Sequence, residues 1–305
     1  MKIKNITIKD IDLDLLEVNN ELFYIYNNNN GKMIQSNVNP KVYLDDKKDS
    51  NQNQEIINNF LFSKYSKGKL YNFHFLRINI SMNKMEKILN LIAFFSKKYI
   101  SFLLIIINIF IIFTNNSILV PDIKDLFSNG INTVIFFYIG SFIITLIHEM
   151  GHFAIYNYYF KSTNFTFGLL VRYYSLLLFY TTTPFLNSLE NKQKRKIILG
   201  GVQIQQVISI LLFILFYLTN SHLILLLYLQ NLGTIAINLI PFLKFDGYWL
   251  VSSYLGVDDY MKYFWEMLNK RYNFNIIIFI LGCLNIICIS ILVIIAIKGI
   301  GHLFF

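Results

Sequence analysis

Thr133–His152 reads TVIFFYIGSFIITLIHEMGH, and this stretch decides the fold. Thr133–Ile147 is apolar almost throughout, as a lipid-embedded helix requires. It runs straight into His148-Glu149-Met150-Gly151-His152, an H-E-x-x-H pattern. On a helix, positions i and i+4 share a face, so His148 and His152 can point at one cation. The competing reading is a pair of membrane-interface histidines with a snorkelling Glu. Ionisable groups in membrane segments are costly and usually functional, so a shared cation is favoured.

Composition agrees with a membrane protein. Of 305 residues, 55% are hydrophobic, 17% aromatic and only 15% charged. Mean hydropathy is +0.48. Few soluble domains carry so much apolar surface. The net charge is +9, but the basic residues fall between apolar runs rather than along one stripe. That argues against nucleic acid as a partner and for a positive-inside pattern. Cys283 and Cys288 share the last apolar run and offer neither a disulfide framework nor a thiolate metal site. Met1–Asn20 is polar and lacks an apolar core, so no signal peptide is expected there.

The chain divides into a front portion, 1–90, and a membrane body, 91–305. In the front, Glu21–Tyr26 and Lys32–Gln35 flank Asn27–Gly31 and predict a hairpin. Asp45–Gln54 reads as a loop, Glu55–Ser63 has helical spacing, and Leu70–Ile80 alternates like a strand. A small α+β domain is expected. Met82–Phe95 is amphipathic and suits the membrane surface, a linker into the lipid.

Apolar segments follow near 99–114, 133–156, 197–219, 222–242 and 274–297, which predicts a polytopic, mainly α bundle of about five spans. The first is short. Leu169–Phe179 is also apolar but is broken by Arg172 and leads to Thr181-Thr182-Thr183-Pro184. It reads as a re-entrant or interfacial strand element, or else as a sixth span. Connections alternate in charge. The stretch 115–132 has only Lys124 as a base, whereas 157–196 and 244–273 are Lys/Arg-rich. The expected topology puts the N-terminus in the cytoplasm, the C-terminus outside, and the H-E-x-x-H end on the cytoplasmic side.

Two histidines leave a metal one protein ligand short. Asp246 is the best third donor, in Asn238-Leu-Ile-Pro-Phe-Leu-Lys-Phe-Asp246-Gly247-Tyr248. It follows the fourth span, on the same predicted side as His152. Pro241 stops the helix, and Gly247 suits a sharp turn. The competing role is an N-cap for a helix through Tyr248–Leu255. Asp258 and Asp259 are rival ligands, with Asp258 read as the cap of the following helix. His74, His222 and His302 stand isolated. An imidazole–imidazole–carboxylate set suits Zn²⁺, with Glu149 as general base on a metal-activated water.

An H-E-x-x-H in a membrane helix, followed two spans later by a Pro-containing loop with Asp-Gly, resembles the site-2 protease superfamily of intramembrane zinc metalloproteases. Leu243-Lys-Phe-Asp-Gly-Tyr248 is similar to its bacterial branch of peptide zinc metalloproteases, as are Phe75–Ile80 before the first span and Lys194-Arg195-Lys196 before a later helix. The resemblance spans roughly residues 72–270. The second family motif usually has Asn directly before Pro. Here Ile240 holds that place and Asn238 lies two residues earlier. The resemblance implies one Zn²⁺ held by His148, His152 and Asp246, a catalytic Glu149, and a bacterial cell-membrane location. It also implies Asn238 as a substrate contact, and it pairs Gly201 and Gln205 with the superfamily's Gly-x-x-x-Asn. Gln205 would then hold the substrate backbone or a developing oxyanion. Helix–helix packing is the equal alternative for Gly200–Gln206.

The expected activity is hydrolysis of a precursor peptide or membrane-segment substrate, in maturation or export of a modified or bacteriocin-like peptide beside an ATP-driven exporter. The substrate would be unwound and paired with an edge strand from residues 168–183. A regulatory protease clipping a membrane-anchored factor is the first alternative, but the loops are too short for the PDZ-like insert such regulators often carry. A non-proteolytic export or immunity protein is the second.

Overall fold

Short alternating runs and Asn/Gly turns shape the first elements, and long apolar runs shape the last. The computed structural model describes residues 3–8, 11–18, 22–28, 30–37, 58–63, 72–115, 130–161, 164–172 and 176–304. The expected loop Asp45–Gln54 lies outside them. The chain forms two compact units: Met1–Phe102 with Thr145–Leu189, and Leu103–Ile144 with Glu190–Phe305.

In the first unit, β1 (Ile3–Ile8), β2 (Ile11–Val18), β3 (Leu22–Asn27) and β4 (Met33–Ser36) form an antiparallel meander in that order. The expected hairpin is present, with Ile25 opposite Ile34. Gly31, at φ 73°, takes the left-handed conformation its turn needs. Leu13, Leu15, Phe23 and Ile25 pack with Phe60 and Leu61 of the helical stretch 58–62. Each such burial contributes roughly 1.5–3 kcal/mol. The buried Asn27 donates its Nδ2 to the Phe60 and Leu61 carbonyls at 2.9 and 3.2 Å. Those bonds avoid the penalty of about 1–3 kcal/mol for an unmet buried polar group.

A second sheet in this unit joins distant segments. β5 (Asn72–Ser81) pairs with β6 (Asn164–Arg172), which pairs with β7 (Leu176–Thr181), all antiparallel. The described residues of the Leu169–Phe179 run, 169–172 and 176–179, are therefore strand and not a sixth helical span. Their partner is the predicted Leu70–Ile80 strand. The amphipathic helix α1 (Met82–Phe95) follows β5 directly.

The helices are α2 (Lys98–Thr114), α3 (Ile131–Phe160), α4 (Asn191–Thr219), α5 (His222–Leu239), α6 (Asp246–Tyr254), α7 (Tyr260–Leu268) and α8 (Ile276–Phe304). Among the described residues, α3, α4 and α5 are long and apolar enough to cross a membrane. The α1–α2 pair, bent by 69°, would make four if counted as one span. Among the described residues the expected count of five is not confirmed. With 17 residues, α2 measures about 25 Å, short of a hydrocarbon core of about 30 Å. The helix α8 is apolar over Ile276–Ile291. The apolar helices suit a lipid bilayer.

Polar side chains tie the second unit together. Asn108 of α2 donates to the Gln206 carbonyl and side-chain oxygens of α4, at 3.1 and 2.8 Å. Asn231 of α5, fully buried, donates to the Gln205 carbonyl at 3.0 Å and to Ser209 Oγ at 2.8 Å. Amides within apolar helices find one another when no water is at hand.

Candidate metal centre

His148 and His152 lie one turn apart on α3, which is why i and i+4 spacing brings their rings together. Their Nε2 atoms are 3.0 Å apart and the ring planes meet edge to face at 84°. His148 is buried, with 5% of its surface exposed. Phe153, Tyr156 and Phe160 carry the helix onward and are buried too. Phe153 stacks edge-on against Phe165 of β6 at 4.7 Å, so the helix is seated on the sheet just beyond the histidines.

Asp246 directly follows the tight connection between α5 and α6. The α5 helix ends at Leu239, before Pro241. Leu243 and Lys244 both adopt left-handed backbone, φ 63° and 58°, without being glycine. Such residues cost of order 1–3 kcal/mol each and persist only where surroundings hold them. Asp246 is the first residue of α6, and Phe245, not Asp246, is its N-cap. The expected role of Gly247 changes in kind. Its φ is not positive; instead a Cβ there would lie 2.3 Å from the Leu239 carbonyl oxygen. Only glycine lets the first turn of α6 approach the end of α5 so closely.

The rival aspartates have other work. Asp259, not Asp258, caps α7, accepting from the Met261 and Lys262 amides. It also pairs with Lys244 Nζ at 2.6 Å and accepts from the Tyr248 hydroxyl. Burial alone would raise the Asp259 carboxyl. Lys244, Tyr248 and the Lys262 amide outweigh it and hold the group below its ordinary value. Burial, then the bond to Asp259, pushes the Tyr248 phenol well up. Asp258 pairs with Lys194 at 3.3 Å.

His148, His152 and Asp246 each offer one ligand atom, and these atoms lie within 4.8 Å of one another. The group could hold a metal ion. Bonds of about 2.0–2.1 Å around a tetrahedral ion place its ligand atoms about 3.3 Å apart; the two histidine nitrogens, 3.0 Å apart, are near that spacing, and the donor chemistry suits one ion. No protein-family model, curated protein or solved structure matches this chain. The site must therefore be read from its own residues.

Glu149 follows His148 on α3 and is half-buried. Asn238 is half-buried in the last turn of α5, while Gln205 is fully enclosed in α4. Gln206 joins the packing seam with Asn108, as the packing alternative for that segment expects. The sequence reading missed Asn108 and Asn231. The only signal for them was an Asn inside an apolar run. It also missed the partners of Lys194 and Arg195. Arg195 lies over the Tyr254 ring at 4.4 Å and donates to the Ser253 carbonyl at 3.4 Å.

Proposed function

We propose that this chain is a membrane-embedded zinc endopeptidase that cuts a precursor peptide or membrane-segment substrate. The observation that supports the reading is the His148–His152–Asp246 group, in which Asp246 is distant in sequence from the two histidines yet the ligand atoms lie within 4.8 Å, with Glu149 beside His148. The resemblance to the site-2 protease superfamily implies the same chemistry.

A zinc ion held by these residues would acidify water towards a pKa of roughly 7 and polarise a peptide carbonyl. Glu149 takes the proton from the water and passes it to the leaving amine. Asn238, partly exposed near the start of the Asp246 loop, is better placed than the enclosed Gln205 to touch a peptide. β7 is an outer strand of its sheet, and an outer strand can pair with an unwound substrate by β-augmentation. The N-terminus and the Asp246 loop face the cytoplasm in this reading, because the Lys/Arg-rich connections do.

The test is co-expression with the peptide-sized reading frames beside its own, followed by mass spectrometry of the products. Processing that a chelator abolishes and added zinc restores is the expected result. The same processed peptide in cells carrying His148→Ala would overturn the reading.

A further inference from the structure

The Asp246 loop is strained at Leu243 and Lys244, and the strain has identifiable holders. On one side, Lys244 Nζ meets Asp259 Oδ2 at 2.6 Å, and the Tyr248 hydroxyl donates to the other oxygen of the same carboxylate. Lys244 also lies over the Tyr248 and Trp249 rings, at 5.6 and 5.7 Å. On the other side, the Tyr260 hydroxyl donates to the Pro241 carbonyl at 2.7 Å and accepts from Asn285 Nδ2 at 2.9 Å. Asp246 stands between these anchors, two residues from Lys244 and two from Tyr248. The ion pair is partly shielded, with side-chain exposures of 35% and 23%.

We propose that Lys244, Tyr248 and Asp259 are positioning residues that hold the Asp246 carboxylate in place for metal. This rests on the metal reading above. Removing the Asp259 charge removes the ion pair that helps to hold Lys244 in its left-handed conformation. The first turn of α6 then shifts, and Asp246 with it. None of the three residues touches the metal; each acts through Asp246.

Two variants separate this role from folding. Asn caps helices about as well as Asp, so Asp259→Asn keeps the α7 cap and removes only the charge. Tyr248→Phe keeps the buried ring and removes the donor. The purified full chain in detergent is titrated with Zn²⁺ against a competing chelator, and its Co²⁺-loaded form is followed by visible absorption. Melting by circular dichroism runs alongside. Outer partners of metal ligands typically contribute 10–100-fold in affinity, so each variant should bind zinc about 10–100-fold more weakly, with an altered Co²⁺ spectrum. In an Asp246→Ala background, which loses its zinc on purification but keeps the two histidines for weak binding of added zinc, Asp259→Asn should add nothing further, because its route to the metal is gone.

Zinc affinity and spectrum unchanged in both variants would overturn the clamp while leaving the metal site intact. A full additional loss in the Asp246→Ala background would also overturn it, by showing that Asp259 acts on the fold at large. If the unaltered chain binds no metal, the metal reading itself fails and the clamp falls with it.

Discussion

The Leu239 carbonyl oxygen lies where a side chain on Gly247 would begin: a Cβ built there falls 2.3 Å from that oxygen and 2.5 Å from its carbon. The last turn of α5 and the first turn of α6 are thus in backbone contact beside Asp246. Backbone cannot give way as the tip of a flexible side chain can. Gly247→Ala must separate the two helices, and overpacking of this kind costs about 1–3 kcal/mol. The variant should melt lower than the unaltered chain and bind zinc more weakly, both measurable on the purified protein. An unchanged melting curve would show that the contact is looser than described.

The metal itself is the second expectation. The full chain purified in detergent should carry about one Zn²⁺, the number that a single His₂Asp set can hold. His148→Ala or Asp246→Ala should lose it, as read by elemental analysis. Asp258→Ala should retain it, since Asp258 is engaged with Lys194. Full zinc in Asp246→Ala would mean that the third ligand lies elsewhere.

Local features of the front, and the group that could hold a metal ion, could be read from residues alone, and the exceptions share a cause. The Asn27–Gly31 hairpin, the helix starting at Met82 and the His148/His152 pairing depend on neighbours a few residues away. Period and turn chemistry suffice for those. The pairing of β5 with β6 joins Asn79 to Thr166, and no local pattern reports a partner so distant. Apolar content alone could not separate a span from a strand at Leu169–Phe179, because both are apolar runs. Nor does a hydropathy pattern say whether a 17-residue helix such as α2 crosses alone or only with the bent helix before it. Asp258 and Asp259 are adjacent and chemically alike. The choice of cap fell to Asp259 because Lys244 and Tyr248 converge on it.

Acid should weaken the second unit through Asp259. Its folded carboxyl lies below the ordinary value near 3.9. A depressed pKa contributes stability that is complete above the unfolded value and is lost as pH falls through the folded one. The loss therefore falls below about pH 4. Melting temperature followed down through this range should fall less steeply in Asp259→Asn than in the unaltered chain, once the lower starting stability is allowed for. Parallel acid limbs would remove Asp259 as a contributor.

Sidedness is tested at two exposed positions. Asn220 closes α4 in the turn before α5, and Lys262 lies on α7. In the proposed topology Lys262 lies in the cytoplasm and Asn220 outside. In a background with Cys283 and Cys288 replaced by Ser, Asn220→Cys should react with an impermeant maleimide in intact cells. Lys262→Cys should react only after permeabilisation. The reverse pattern would invert the topology and put the metal group on the outer side.

Catalysis and metal binding separate at Glu149. The residue is a proton acceptor in the proposed reaction and not one of the three ligands, so Glu149→Gln should leave zinc content unchanged. Gln nearly keeps the shape of the side chain but cannot take a proton from water. Positioned proton transfer typically contributes about 10²–10⁴-fold, and turnover should fall by that order. The variant should still fold, hold its metal and retain substrate, so the uncut precursor should co-purify with it and accumulate in producing cells. An export or immunity protein that needs no hydrolysis would work normally with this change. Normal maturation in the Glu149→Gln strain, with zinc still bound, would sink the peptidase reading while leaving the metal site standing.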